Sequence, residues 1–201
     1  MDIMDLLKSQ VLNDGLLEQL TQKVGAQDKQ QTAKAAEGAL SMLLGAMAKN
    51  AAKPEGASAL ANALDNDHDG GILDDVMGFL GGNHQESRAA NGAGILNHVL
   101  GNNQSSAFQA ISQLSGLGSE QSGSLMAMLA PMVMGALGKT KRQQGLDASG
   151  LASMLGGVLG GHRQQAASNP MMGMITQFLD KDGDGSIVDD ALGMLGNFFK
   201  K

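Results

Sequence analysis

The sequence predicts an all-α protein, a multi-helix bundle built from two similar helical repeats. Three observations carry that expectation. Apolar residues recur at i, i+3 and i+4 along most of the chain. No stretch alternates polar and apolar residues as a half-buried strand would. The periodic segments open at Asp, Asn, Ser or Pro and several close at Gly, the residues that suit helix starts and stops.

The elements follow in order. Ile3, Leu6, Leu7 and Val11 form a first stripe. Leu16, Leu17, Leu20 and Val24 form a second, with Gly25 placed to end it in a left-handed turn. Asp28 can cap a long helix over residues 29–50, with Leu40, Leu43, Leu44 and Met47 on one face. Pro54 suits the first turn of a helix ending near Leu64. Ser106 can cap a helix carrying Phe108, Ile111 and Leu114, and Ser119 one running through Leu125 toward Arg142. Pro131 falls inside that run and is expected to kink or restart it. Asp147 can cap a helix through Leu155, and Asn169 with Pro170 opens a last one through Phe178. The apolar run at residues 125–138 is too short, and too interrupted by Pro131, to span a bilayer as one helix; it reads as a buried core helix.

Composition narrows the function classes. Hydrophobic residues are 42% of 201, a globular proportion. A net charge of -6 and an aromatic content of 2%, with no Tyr or Trp, exclude a nucleic-acid footprint or base-stacking platform. Cys is absent, which excludes disulfides, a thiol nucleophile and Cys-ligated zinc. Gly occurs 29 times and Met 14 times, so the core is expected to be built from small and flexible side chains. Gly157 and Gly161, four apart, suit a close helix–helix approach. Asp2 and Asp5 give the N-terminus the wrong charge for a secretory signal, so the expected location is cytoplasmic, with signal-independent export left open.

An internal repeat organises the chain. Residues 45–64 and 135–155 align with one insertion, and each is followed by an Asp-rich loop. The expected halves are residues 1–82 and 83–201, able to pack as one globular unit, with the Gly- and Asn-rich segment 82–94 as linker.

The two loops carry the chemistry. Residues 65–75 and 180–190 both read D-x-D-x-D-G-x-I-x-D-D, each between helical segments in the order of an EF-hand-like helix–loop–helix. They hold ten of the chain's 20 acidic residues, a density that would repel strongly without a cation. Calcium takes six to eight oxygens, and carboxylates at positions 1, 3 and 5 of a tight loop converge on one point. Gly70 and Gly185 at position 6 permit the sharp turn. The expected ligands are Asp65, Asp67, Asp69, the Gly71 carbonyl and Asp75 in the first loop. In the second they are Asp180, Asp182, Asp184, the Ser186 carbonyl and Asp190. The usual Glu at position 12 is replaced by Val76 and Ala191, so we read a shortened loop closed at position 11, with Asp74 and Asp189 as the other candidates. The expected cofactor is Ca2+ at two sites, with Mg2+ as the alternative ion.

Other constellations are weaker. His68, His84, His98 and His162 show no metal-ligating spacing, and His68 reads as a solvated loop residue. Gly138-Lys139-Thr140 resembles the end of a phosphate-binding loop, but the first Gly that motif requires is Val133. Lys139, Lys141 and Arg142 read as a solvated helix end.

Three phrases carry a family likeness: Gly94-Ile95-Leu96-Asn97-His98-Val99-Leu100-Gly101, the segment 129–138 and the segment 151–157. They resemble the YidB-like bacterial proteins, a domain of unknown function. The resemblance implies an all-helical fold and a bacterial source, and it supplies no activity, substrate or catalytic residue.

The functional expectation is a non-enzymatic calcium-binding helical scaffold or protein-interaction module with the metal mainly structural. A protein partner or self-association is expected and nucleic acid is not. The alternatives are a membrane-surface or envelope-associated protein and, further off, a metal-dependent enzyme.

Overall fold

The computed structural model describes residues 7–9, 12–81 and 88–166, and their regular structure is entirely helical. The helices are α1 (Asp14–Lys23), α2 (Lys29–Ala51), α3 (Pro54–Asn66), α4 (Val76–Gly81), α5 (Gly92–Leu100), α6 (Gln104–Ser115), α7 (Ser119–Gln144) and α8 (Ala148–Ala166). Short 3-10 turns at Gly71–Leu73, Arg88–Ala90 and Gly101–Asn103 join some of them.

Local chemistry sets most of these boundaries. Helix starts leave N–H groups without partners, and short polar side chains accept from them. Asn13 Oδ1 accepts from Leu16 N–H at 3.0 Å, and Asp28 Oδ1 accepts from Gln30 N–H at 2.7 Å. Asp147 Oδ1 accepts from Gly150 N–H at 2.8 Å. Gly25 follows α1 with φ +66, as expected for a residue just past a helix end. Two expected caps differ. Helix α6 starts before Ser106, at Gln104. At α7 the cap is Gly118, whose N–H donates to Gln121 Oε1 at 2.9 Å, and Ser119 is already helical. The Gln121 amide also donates to the Val24 and Gly25 carbonyls, tying the end of α1 to the start of α7.

The core lies between α2 and α7. Residues 38–48 of α2 and 129–138 of α7 are all buried, whichever way they point. A helix that is apolar all round belongs at the centre of a bundle. The two pack on each other, with α5 and α6 against both, α1 on α2, and α3 against both. Helix α8 packs on α2 and α3 instead of folding back along α7. The two aligned segments therefore both form helix–turn–helix units, but their second helices do not pack alike. Buried residues on either side of position 82 form one cluster, including Leu40, Leu43, Leu129 and Val133.

Helix α7 runs without interruption through Pro131, where a kink or restart was expected. Proline has no N–H for the carbonyl four residues back, which here is Ala127. Gly92 of α5 abuts that carbonyl so closely that a Cβ on Gly92 would overlap it. Gly156 and Gly157, by contrast, face open space, so Gly157 is not at a helix crossing. Gly161 and Gly185, the last helix from Asn169 and residues 82–87 of the expected linker carry readings that lie outside what can be placed against neighbours here.

Two predictions follow from this packing. Gly92→Ala and Gly138→Ala would each force a Cβ onto a backbone carbonyl and should cost about 1–3 kcal/mol by urea unfolding. Gly156→Ala should instead stabilise by roughly 0.5–1 kcal/mol, since it gains helix propensity in open space. The second concerns acid. The Gly150 N–H and the Ser149 hydroxyl hold the Asp147 carboxyl below its ordinary value of 3.8. A carboxylate lowered in the fold contributes stability that is complete above that ordinary value and is lost as pH falls through the lowered one. Asp147→Asn keeps an acceptor oxygen that does not titrate, so its melting temperature should fall less than wild type between about pH 5 and about pH 3.

Candidate metal loop and adjoining groove

The first Asp loop begins inside α3 and ends at α4. Asp65 is in the last turn of α3, and Asp67 is the residue after that helix. Gly70 sits at φ +93, a left-handed conformation that a Cβ disfavours, and turns the chain into Gly71–Leu73. The turn lies flat on α7, where Gly135 and Gly138 receive it. A Cβ at Gly138 would overlap the His68 carbonyl oxygen, and one at Gly135 would press on Ile72 at 2.6 Å. Two small residues three apart on a buried helix are thus what lets the loop reach the core.

The expected ligands sit on separate partners. Asp65 Oδ1 accepts from Lys141 Nζ at 2.6 Å, and that lysine side chain is only 11% exposed. Asp69 Oδ1 accepts from Gly71 N–H at 2.9 Å, closing a turn of its own. The Gly71 carbonyl accepts from Asp74 N–H at 3.1 Å. Asp75 Oδ1 accepts from Gly78 N–H at 2.9 Å and so caps α4. Asp74, the other candidate closer, pairs with Lys139 at 3.3 Å at the surface. Among the described residues no three His, Asp or Glu side chains converge as a metal-holding group. The donor set suits a hard cation, whereas its present directions do not form a cage. Asp180, Asp182, Asp184, Ser186 and Asp190 of the second loop lie outside the described residues.

His68 departs from the expectation. It is buried, 6% exposed, and its Nδ1 has no hydrogen-bond partner. Burial pushes its pKa below the ordinary 6.5, against the opposing pull of Asp67 and Asp69. His68 and Asp67 line a groove of about 860 Å³ between α3 and α5. Met47 of α2 and Met134 of α7 also line it. The basic residues were also misplaced by the sequence reading. Lys139 and Lys141 are partners of the acidic loop, not a solvated helix end. The signal available was opposite charge, a short basic run in a chain whose acids concentrate in two windows.

A family model described as "Bacterial protein of unknown function (DUF937)" matches residues 5–140. The chain belongs to that family. The matched span of this DUF937 protein includes the first Asp loop, the groove and Lys139. It stops one residue before Lys141 and well before the second loop. No curated protein and no solved structure matches the chain. No helix among the described residues is long and apolar enough to cross a membrane.

The Asp65–Lys141 pair can be measured directly. With one partner mostly buried and the other half exposed, a double-mutant cycle of Asp65→Asn and Lys141→Met should give a coupling of about 0.5–1 kcal/mol. The coupling should shrink in high salt less than that of the more exposed Asp74–Lys139 pair.

Proposed function

We propose that this DUF937 protein is a non-catalytic helical scaffold whose two Asp loops take calcium, with the ion stabilising the fold rather than switching it. The observation that carries the reading is the twice-repeated D-x-D-x-D-G-x-I-x-D-D pattern. In the first copy it is supported by a left-handed Gly70 between two helices. The first loop touches α3, α4 and α7, so an ion held there would tie three helices together. The finer likeness to YidB-like proteins adds no activity to this reading.

Calcium at the first loop requires Asp65 to give up Lys141. The lysine and the ion compete for one carboxylate, which sets a test specific to this structure. Calorimetric titration of the full chain should show about two calcium ions bound. Lys141→Met should tighten binding at one of the two sites, because the ion then displaces water rather than an ammonium group. Asp69→Asn should weaken that same site, and Asp184→Asn the other. Saturation at 100 times Kd should raise stability by about 2.7 kcal/mol per site. No calcium uptake at millimolar concentration, or uptake with unchanged melting, would overturn the proposal. Flotation with vesicles only when calcium is present would favour a membrane-surface role instead.

A further inference from the structure

The groove between α3 and α5 has a shape and a charge pattern that the Asp-loop reading does not use. On α3 its lining follows one stripe, Lys53, Gly56, Leu60, Ala63 and Asp67. That stripe spans about 20 Å at the helical rise. Helix α5 supplies the facing wall, including Ile95 and His98. Asn50 Nδ2 donates to the Val99 carbonyl at 3.0 Å, so the end of α5 meets the start of α3 and the two helices run antiparallel. The groove therefore has two unlike ends. Lys53 and the exposed His98 stand at one. Asp67 and the buried His68, with its unpartnered Nδ1, stand at the other. Between them the lining is apolar, with Met47 and Met134 of the core adding side chains that adapt to irregular shapes.

A buried polar atom without a partner is costly unless something completes it. Here the incomplete atom faces a cavity of a size that takes small ligands. A volume of about 860 Å³ spread over about 20 Å gives a cross-section near 40 Å², that of an extended chain and not of a helix about 10 Å across. Asp67 beside the imidazole favours a positively charged donor and disfavours a carboxylate.

We propose that this groove binds a single-chain amphiphile with an ammonium head, the head at Asp67 and His68 and the apolar chain along Leu60, Ile95 and Met134. The proposal does not rest on calcium binding. Asp67 serves in both, so the two are separated by working in chelator, where only the groove is tested.

The experiment is calorimetric titration of the full chain with decylamine, kept below its micellar concentration, at neutral pH in chelator. Decylamine should bind at one saturable site, and decanoate, equal in length and opposite in charge, at least about tenfold more weakly. His68→Leu and Asp67→Asn should each weaken decylamine about tenfold. His68→Leu removes an unpartnered buried atom, so its melting temperature should equal or exceed that of wild type. Leu60→Trp, which fills the groove without touching the polar end, should also abolish binding, and it places a fluorophore in a chain that has no other Trp. Equal binding of decylamine and decanoate would overturn the charge assignment. Unchanged decylamine binding in both His68→Leu and Leu60→Trp would overturn the site.

Discussion

Two helices buried on every side, α2 and α7, determine what the rest of the molecule can be. A helix with no solvent face can carry polar groups only if each finds a partner inside the fold. The buried hydroxyls in this bundle do so by the shortest route, donating to the carbonyl four residues back. Ser41 reaches Glu37, Ser115 reaches Ile111, Ser122 reaches Gly118 and Thr21 reaches Leu17. Such bonds cost the helix little and leave its outside apolar. The side chains that remain are Leu, Ala, Met and Gly, and their small volumes let neighbouring backbones come close. Close packing at these crossings takes the place of the aromatic bulk that the chain lacks.

The acidic loop is the main electrostatic problem of this fold. It is held on α7 by backbone contact at Gly135 and Gly138, so its five carboxylates cannot simply spread into solvent. Two of them are met by lysines and two by backbone N–H groups. An exposed lysine pair such as Asp74–Lys139 contributes little. Asp67 and Asp69 remain close together without a cation, with His68 neutral between them because burial outweighs their pull. That residual negative charge is what a calcium ion, or a cationic head in the groove, would neutralise. Both proposals draw on the same local imbalance, reached from opposite sides of Asp67.

Much of the fold was legible because it is encoded locally. Asp28 before an apolar run, Pro54 in a first turn and Gly25 after a stripe each act within a few residues, and the helices begin and end near them. Gly138 against His68 is not local. Nothing around position 68 shows that a helix seventy residues later will cover it, so a histidine among acids read as solvated. Pro131 was misjudged for a related reason. Its effect on the helix is local, while the use made of the freed Ala127 carbonyl depends on Gly92 arriving from elsewhere. The repeat gave two helix–turn–helix units but not the departure of α8 from α7, because which neighbour a helix chooses is settled by the whole core. The candidate site was legible as a list of donors. Their directions were not, since Lys139 and Lys141 lie far along the chain from the carboxylates they meet.

The groove follows from where α3 and α5 are anchored. Helix α5 is fixed at one end by Gly92 against Ala127 of α7 and at the other by the Asn50–Val99 hydrogen bond to α2. Helix α3 is fixed at its start by Gly56 against the Asn50 carbonyl and at its end by the loop seated on Gly135 and Gly138. These contacts involve backbone atoms on at least one side, and none runs between α3 and α5. The helices are therefore pinned to α2 and α7 and are not drawn onto each other. A space bounded by side chains alone could collapse when one is trimmed, as cores partly do after a large-to-small substitution. A space set by backbone contacts at both ends keeps its width. That is the condition a binding groove needs, and here it is met by glycines at crossings and by a proline that leaves one carbonyl free.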